Sequence, residues 1–317
     1  MSVLDALEAA LPWTPVPVPD DIPTGDMPGD RVTIREEHVR RAQALVPMLV
    51  GELVPVVRAS EASRAVVAVC GGSGVGKSEV ASVVSYLLGT VGVGCYTLSG
   101  DNYPRRIPSQ NDAERLRIFR EAGVRGLLAE DAYDAERAVV LRRLQAAEVD
   151  ADPAAAVEHP WLAAYQRAGR EGLRGYLGSP AEIDFEHLSD IVARFKAGAP
   201  ALHLRRMGRG PADLWYELVD LTGVDVLVVE WTHGNSEHLV GVDVPVLLHS
   251  TPEATLEHRR ARARDRAPDS PFTTMVLEVE QELLERRAAA ARIIMTPDGE
   301  RLSHERYAEL LAGGGRG

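Results

Sequence analysis

A run of apolar, β-branched residues (Val66, Val67, Val69) breaks into Gly71-x4-Gly76-Lys77-Ser78, and apolar positions then return at Val80, Val83, Val84, Leu87 and Leu88. No other stretch restricts the fold as much. The first run reads as a buried strand, and the spacing after Ser78 reads as a helix. Gly71, Gly72, Gly74 and Gly76 let the backbone curl so that successive amides face one anion. The helix N-terminus adds partial positive charge at the same point. Lys77 can reach the outer phosphates of a nucleotide, and the Ser78 hydroxyl can ligate Mg²⁺. Strand, loop and helix together predict a nucleoside triphosphate site lined by Gly71, Gly72, Ser73, Gly74, Val75, Gly76, Lys77 and Ser78.

At 317 residues the chain can bury a substantial core, as one large domain or two small ones. Hydrophobic residues at 45% and charged residues at 26% are ordinary for a globular protein. A net charge of −12 argues against nucleic acid as a partner, because binding a phosphate backbone needs a basic face. No stretch reads as a membrane span, and the N-terminus lacks a basic-then-apolar leader, so no membrane partner is expected. Both cysteines, Cys70 and Cys95, fall in apolar runs. They read as core residues, which fits a reducing cytoplasm.

Residues 1–30 are proline-rich and predict an extended or poorly ordered arm, a candidate for self-association into a homodimer. Residues 33–58 carry helical periodicity interrupted by Pro47 and Pro55, which predicts one kinked helix or two short ones. The domains expected are therefore a helical extension over 1–62 and a main domain over 63–317. Strands are predicted at 65–70, 93–98, 224–230, 244–249 and 292–295, and helices at 78–89, 184–197, 272–290 and 301–311. Residues 111–178 are Ala-, Arg- and Glu-rich and read as a helical insertion. Ser250, Pro252 and Glu253 resemble a capping box that opens a helix running to Arg266. Strands alternating with helices predict an α/β fold with a mainly parallel sheet covered on both faces.

In such a sheet ligands bind at the carboxyl ends of the strands. Asp101 follows the second strand there and could orient or deprotonate an acceptor hydroxyl. Glu230 ends the apolar strand VDVLVVE and could hold Mg²⁺ directly or through water. The next residues, Trp231 to Asn235, are polar enough to line a site, with His233 among the candidates. The run HRRARARDR over 258–266 places Arg260 and Arg264 four apart on one helix face, where guanidinium groups could stabilise a transferring phosphoryl. A second basic cluster, Arg205, Arg206 and Arg209, can meet an anionic acceptor or pair with neighbouring acids; Arg105 and Arg106 carry the same two readings.

The motifs GGSGVGKS, GDNYPRR, IDFEHLSDIVARFKAG, VLVVEWTHG and TLEHRRARARD, in this order over most of 65–296, resemble the uridine kinase and phosphoribulokinase family of P-loop kinases. The resemblance implies a parallel-sheet P-loop NTPase of the nucleoside monophosphate kinase-like type. It also implies Asp101 as catalytic base, Arg264 as the lid arginine on the nucleotide phosphates, and Tyr103 in a segment that touches the acceptor. The chain departs from the family at ALHLRRMGR, which lacks the base-reading aromatics and has Met207 where a His is expected. GDN at 100–102 with NDAERLR at 111–117 also looks like adenylylsulfate kinase.

The expectation is an ATP- and Mg²⁺-dependent kinase acting on a small-molecule alcohol: a sugar, a sugar acid or a nucleoside-like metabolite. Lys77, Asp101 and Arg264 would be the catalytic residues, Ser78 and Glu230 the metal ligands. Tyr103, Arg105, Arg206, Glu230 and His233 would contact the acceptor. The alternative is a regulatory NTPase that hydrolyses nucleotide without an acceptor. A guanine-reading NKxD is absent from the sequence.

Overall fold

The chain opens with α1 (Val3–Ala9), an extended stretch, and α2 (Glu36–Ala59). Then come β1 (Ala65–Gly71), α3 (Lys77–Thr90), β2 (Cys95–Ser99) and a 3-10 turn (Gly100–Asn102). Next are α4 (Pro108–Ala129), α5 (Ala135–Ala146), α6 (Pro153–Glu158), α7 (Leu162–Tyr176) and α8 (Phe185–Lys196). A hairpin of β3 (Ala201–Met207) and β4 (Leu214–Asp220) precedes β5 (Val226–Glu230) and β6 (Val244–Leu248). The chain ends with α9 (Pro271–Arg286), β7 (Ile293–Met295), β8 (Arg301–Leu302) and α10 (His304–Gly314). This computed structural model describes residues 1–314 apart from 31, 209, 211, 252–253 and 257–269. The helix expected from Ser250 to Arg266, with Arg260 and Arg264, lies largely outside the described residues.

The central sheet has the order β2-β5-β1-β6-β7-β8, parallel except for β8. β1 lies in its interior, and all seven of its residues are buried, as its unbroken apolar run requires. Ala65, Val67 and Val69 face a core built with α2 and α3. Cys70 faces the opposite side, where it clusters with Leu247, Leu284, Ile294 and Tyr307. Both thiols are free. The structure is thus α/β with a mainly parallel sheet, as the alternation of strand and helix implies.

The chain divides into two compact units. The first comprises Met1–Tyr103, Asp184–Thr251 and Leu284–Gly317 and holds both sheets. The second, Pro104–Ile183 with Pro252–Leu283, is helical in its described part. In that second unit α4 and α7 meet at glycines. A Cβ on Gly123 would lie 2.5 Å from the Tyr165 ring, and one on Gly126 would lie 2.3 Å from Ala168 Cβ.

Two expectations about the elements change, and for residues 33–58 one of the two alternatives holds, a single helix. The arm is not a loose tail. Ser2 and Asp5 form a capping box for α1, Gln43 binds both Trp13 Nε1 at 2.9 Å and Val16 O at 2.6 Å, and Ile22 is buried. Residues 36–59 form one continuous helix through Pro47 and Pro55. The six buried side chains Leu45, Val46, Leu49, Val50, Leu53 and Val57, at about 1.5–3 kcal/mol each, outweigh two interior prolines at about 3 kcal/mol each. By length and composition α2 also qualifies as a membrane span, contrary to the reading of the sequence; here its apolar face lies in the core of the first unit. Finally, the β3–β4 hairpin stands where only a basic cluster was expected.

Candidate active site

β1 delivers the chain to the phosphate loop at the carboxyl edge of the sheet. Gly74 and Gly76 have φ of 80° and 88°, a left-handed backbone that favours glycine. At Gly71 a Cβ would come within 2.6 Å of Leu248 O, so the chain exits β1 against its neighbour β6 only without a side chain. Gly76 caps α3 without any side-chain hydrogen bond, and a helix N-terminus favours an anion. Lys77 lies back along the loop, its Nζ donating to Gly72 O at 3.0 Å.

Glu230 is placed by register. It pairs with Val69 on β1 and with Ser99 on β2, so β2 and β5 end level with one another and β1 runs two residues further, into the loop. Ser78 Oγ donates to Glu230 Oε2 at 3.1 Å and Ser99 Oγ to Oε1 at 2.5 Å. Burial, and then the charge of Asp101, push the Glu230 carboxyl up to about 8, against the Ser99 bond, Lys77 and the Ser78 bond. A buried carboxylate beside another negative charge is a place where a cation is favourable. The donors are a hydroxyl and a carboxylate, hard oxygens that suit Mg²⁺, and this ion takes its other ligands from phosphates and water. No cluster of three His, Cys, Asp or Glu fit to hold a metal occurs among the described residues. Ser78 and Glu230 therefore fit the ion expected of them.

Asp101 is exposed in the turn directly after β2. Its predecessor must be glycine, because a Cβ at Gly100 would lie 2.1 Å from Trp231 Cγ. Its successor Asn102 is fully buried and accepts from the Met207 amide at 3.0 Å. A carboxylate on solvent between two fixed neighbours can accept a proton from a bound hydroxyl.

The other expected contacts fare differently. Tyr103 is fully buried, with its ring edge-on to His187 at 5.4 Å. His233 is buried against Trp231, ring centroids 5.2 Å apart. Arg206 requires correction as an acceptor contact. Its guanidinium is buried and bonded to Asp26 at 2.8 Å, Tyr96 OH at 2.9 Å and Glu217 at 3.0 Å. This is the ion-pairing alternative that the sequence left open. Arg105 belongs to the second unit, where its Nε donates to Pro180 O at 2.7 Å.

Two residues of α2 reach the phosphate loop without having been expected there. Arg41 donates to Val75 O in the phosphate loop at 3.1 Å, and the His38 ring lies 3.0 Å from where a Gly76 Cβ would stand. Burial brings the Arg41 guanidinium down to about 10, so it stays charged at neutral pH. Their signal is a polar pair continuing the apolar stripe of α2: positions 38, 41 and 42 extend the spacing of 45, 46, 49 and 50.

No protein-family model matches the chain. Over 237 residues it is 37% identical to the bifunctional alpha-galactosidase/sucrose kinase AgaSK of Mediterraneibacter gnavus. The match covers 75% of this chain and 20% of that protein, so the chain spans about a fifth of the length of this relative. Among solved structures, a protein provisionally described as a fructose transport system kinase, from Silicibacter sp. TM1040, is similar at 16% identity and a TM-score of 0.44. That likeness covers 78% of this chain and 94% of the other. The YGR205w protein is similar at 10% identity and a TM-score of 0.42, over 83% and 96% of the two chains. Both likenesses are distant, and the fold stands on the strand order and the phosphate loop themselves.

Proposed function

We propose that this chain is an ATP-dependent kinase that transfers the γ-phosphoryl group to a hydroxyl of a small neutral sugar. The observation that carries the proposal is the meeting of Ser78, Glu230 and Asp101 at the mouth of the phosphate loop. Of the two activities in the name of the bifunctional relative, a triphosphate-binding loop suits the sucrose kinase. Resemblance to uridine kinase and phosphoribulokinase assigns the role of base to Asp101.

In this reading the loop amides and Lys77 hold the phosphates, and Ser78 and Glu230 hold Mg²⁺, which neutralises charge on the phosphate oxygens. Asp101 accepts the proton of the acceptor hydroxyl as the new oxygen–phosphorus bond forms. The bond to the bridging oxygen breaks, and ADP leaves. Arg264 and Arg260 are assigned to the phosphates by the resemblance alone.

The charge pairing of the hairpin favours a neutral acceptor. Arg206 is matched by Asp26 and Glu217, and Arg205 Nη1 lies 3.9 Å from Asp184. These arginines are engaged within the protein, which weakens the case for a sugar acid or sugar phosphate. The test is ADP release from Mg·ATP over a panel of sucrose, hexoses, sugar acids and sugar phosphates. Turnover confined to neutral sugars is expected. Release at the same rate with no acceptor would instead identify a regulatory NTPase.

A further inference from the structure

The N-terminal segment reaches the site at two separate points. The first is Asp26, in the extended stretch between α1 and α2. Its carboxylate accepts from the Ser99 backbone amide at 2.7 Å, Arg206 Nη1 at 2.8 Å, the Tyr96 hydroxyl at 3.0 Å and Asn102 Nδ2 at 3.1 Å. Ser99 and Asn102 flank Gly100 and Asp101 in the chain, so one carboxylate from outside the sheet fixes the Asp101 turn from both sides. Ser99 also donates to Glu230, and Asn102 also accepts from Met207 of β3. Asp26 thus joins β2, the acid-bearing turn and the hairpin in one buried network. An acid with that many partners cannot be removed without leaving donors unsatisfied.

The second point is Arg41. Its fork donates to three carbonyls at the carboxyl edge of the sheet: Val75 at 3.1 Å, His249 at 3.2 Å and Met295 at 3.1 Å. These belong to the phosphate loop and to the ends of β6 and β7. A planar fork can serve all three at once, whereas an ammonium group presents a compact point charge. Among the described residues Asp26 and Arg41 share no bonded partner, so their effects are separable.

We propose that the N-terminal segment braces the active site at two points, with Asp26 positioning the Asp101 turn and Arg41 positioning the phosphate loop. Each is a positioning residue, and each governs a different half of the reaction. Loss of Asp26 impairs transfer to the acceptor, and loss of Arg41 impairs nucleotide binding. The first half rests on the kinase reading above; the second needs only nucleotide binding.

The test uses the full chain with Asp26→Asn and Arg41→Lys. The affinity for Mg²⁺ and a non-hydrolysable ATP analogue is read by calorimetry, and sugar-dependent ADP release is read separately. Asp26→Asn should leave the nucleotide Kd within about twofold and lower kcat by about tenfold or more, since small misplacements of reacting groups cost up to about 10²-fold. Arg41→Lys should raise the nucleotide Kd about tenfold, the loss of one charge-assisted bond. Equal loss of both readouts in both variants, or no change in either, overturns the brace. If Asp26→Asn fails to fold, Tyr96→Phe removes two bonds of the same network, the one to Asp26 and the one from Arg206, and should lower kcat at unchanged Kd; an unchanged kcat then overturns the Asp26 half. If the wild type binds the analogue but phosphorylates no sugar, the kinase reading fails while the Arg41 comparison still decides the other half.

Discussion

At the scale of single residues, chemistry concentrates on Glu230. Its ordinary carboxyl value of 4.5 is raised in the folded protein to about 8. A group raised on folding lends stability that is complete below its unfolded value and is lost as pH rises through its folded value. The ligand-free protein should therefore become less stable between about pH 4.5 and pH 8, a slope that thermal unfolding of Glu230→Gln should lack. Binding of Mg²⁺ to a protonated carboxyl also displaces its proton. Calorimetry at pH 7 in buffers of different ionisation heat should show about one more proton released on Mg·ATP binding by the wild type than by Glu230→Gln. Equal release by both would remove Glu230 from the metal site. Gly100 gives a steric test beside it. Gly100→Ala drives a Cβ to 2.1 Å from Trp231, and overpacking of this kind costs about 1–3 kcal/mol. The variant should lose thermal stability and phosphotransfer together, because the turn that moves carries Asp101.

At the scale of elements, helix glycines separate propensity from packing. Gly51 in α2 has nothing within 4 Å of where its Cβ would stand, so Gly51→Ala should stabilise by about 1 kcal/mol. Gly126 in α4 would place its Cβ 2.3 Å from Ala168 of α7. There the same propensity gain is outweighed by an overpacking cost of about 1–3 kcal/mol. Gly126→Ala should lower the unfolding midpoint and Gly51→Ala should raise it; shifts of the same sign would contradict the close approach of α4 and α7. The elements also show what the sequence discloses. β1, the phosphate loop and α3 are legible because a fully apolar strand, a glycine run and a 3.6-residue period follow one another. The β3–β4 hairpin is not. Leu214, Trp215, Tyr216 and Leu218 of β4 are all exposed, so the strand lacks the alternation that burial of one face imposes. The prolines of α2 point to interruption, and only the tertiary burial of its apolar stripe makes it one helix.

At the scale of the whole chain, the placement of candidate site residues was legible wherever it follows from a neighbouring strand end or from the phosphate loop, as for Asp101, Glu230 and Ser78. It was illegible where the role depends on a partner distant in sequence. Asp26 meets Arg206 across 180 positions, and Arg41 meets Met295 across 254. Neither pairing has a local spacing that would announce it. The same distance explains why Arg206 reads as an acceptor contact until Asp26 is seen beside it. The proposed reaction moves a phosphoryl group onto a sugar hydroxyl with Asp101 taking the proton. Mass spectrometry of the acceptor after incubation with Mg·ATP and sucrose tests it most directly. One phosphoryl group per sugar, matched mole for mole by ADP and reduced about 10²–10⁴-fold in Asp101→Asn, is the expected result. ADP without a phosphorylated sugar, or an undiminished yield from Asp101→Asn, would contradict it.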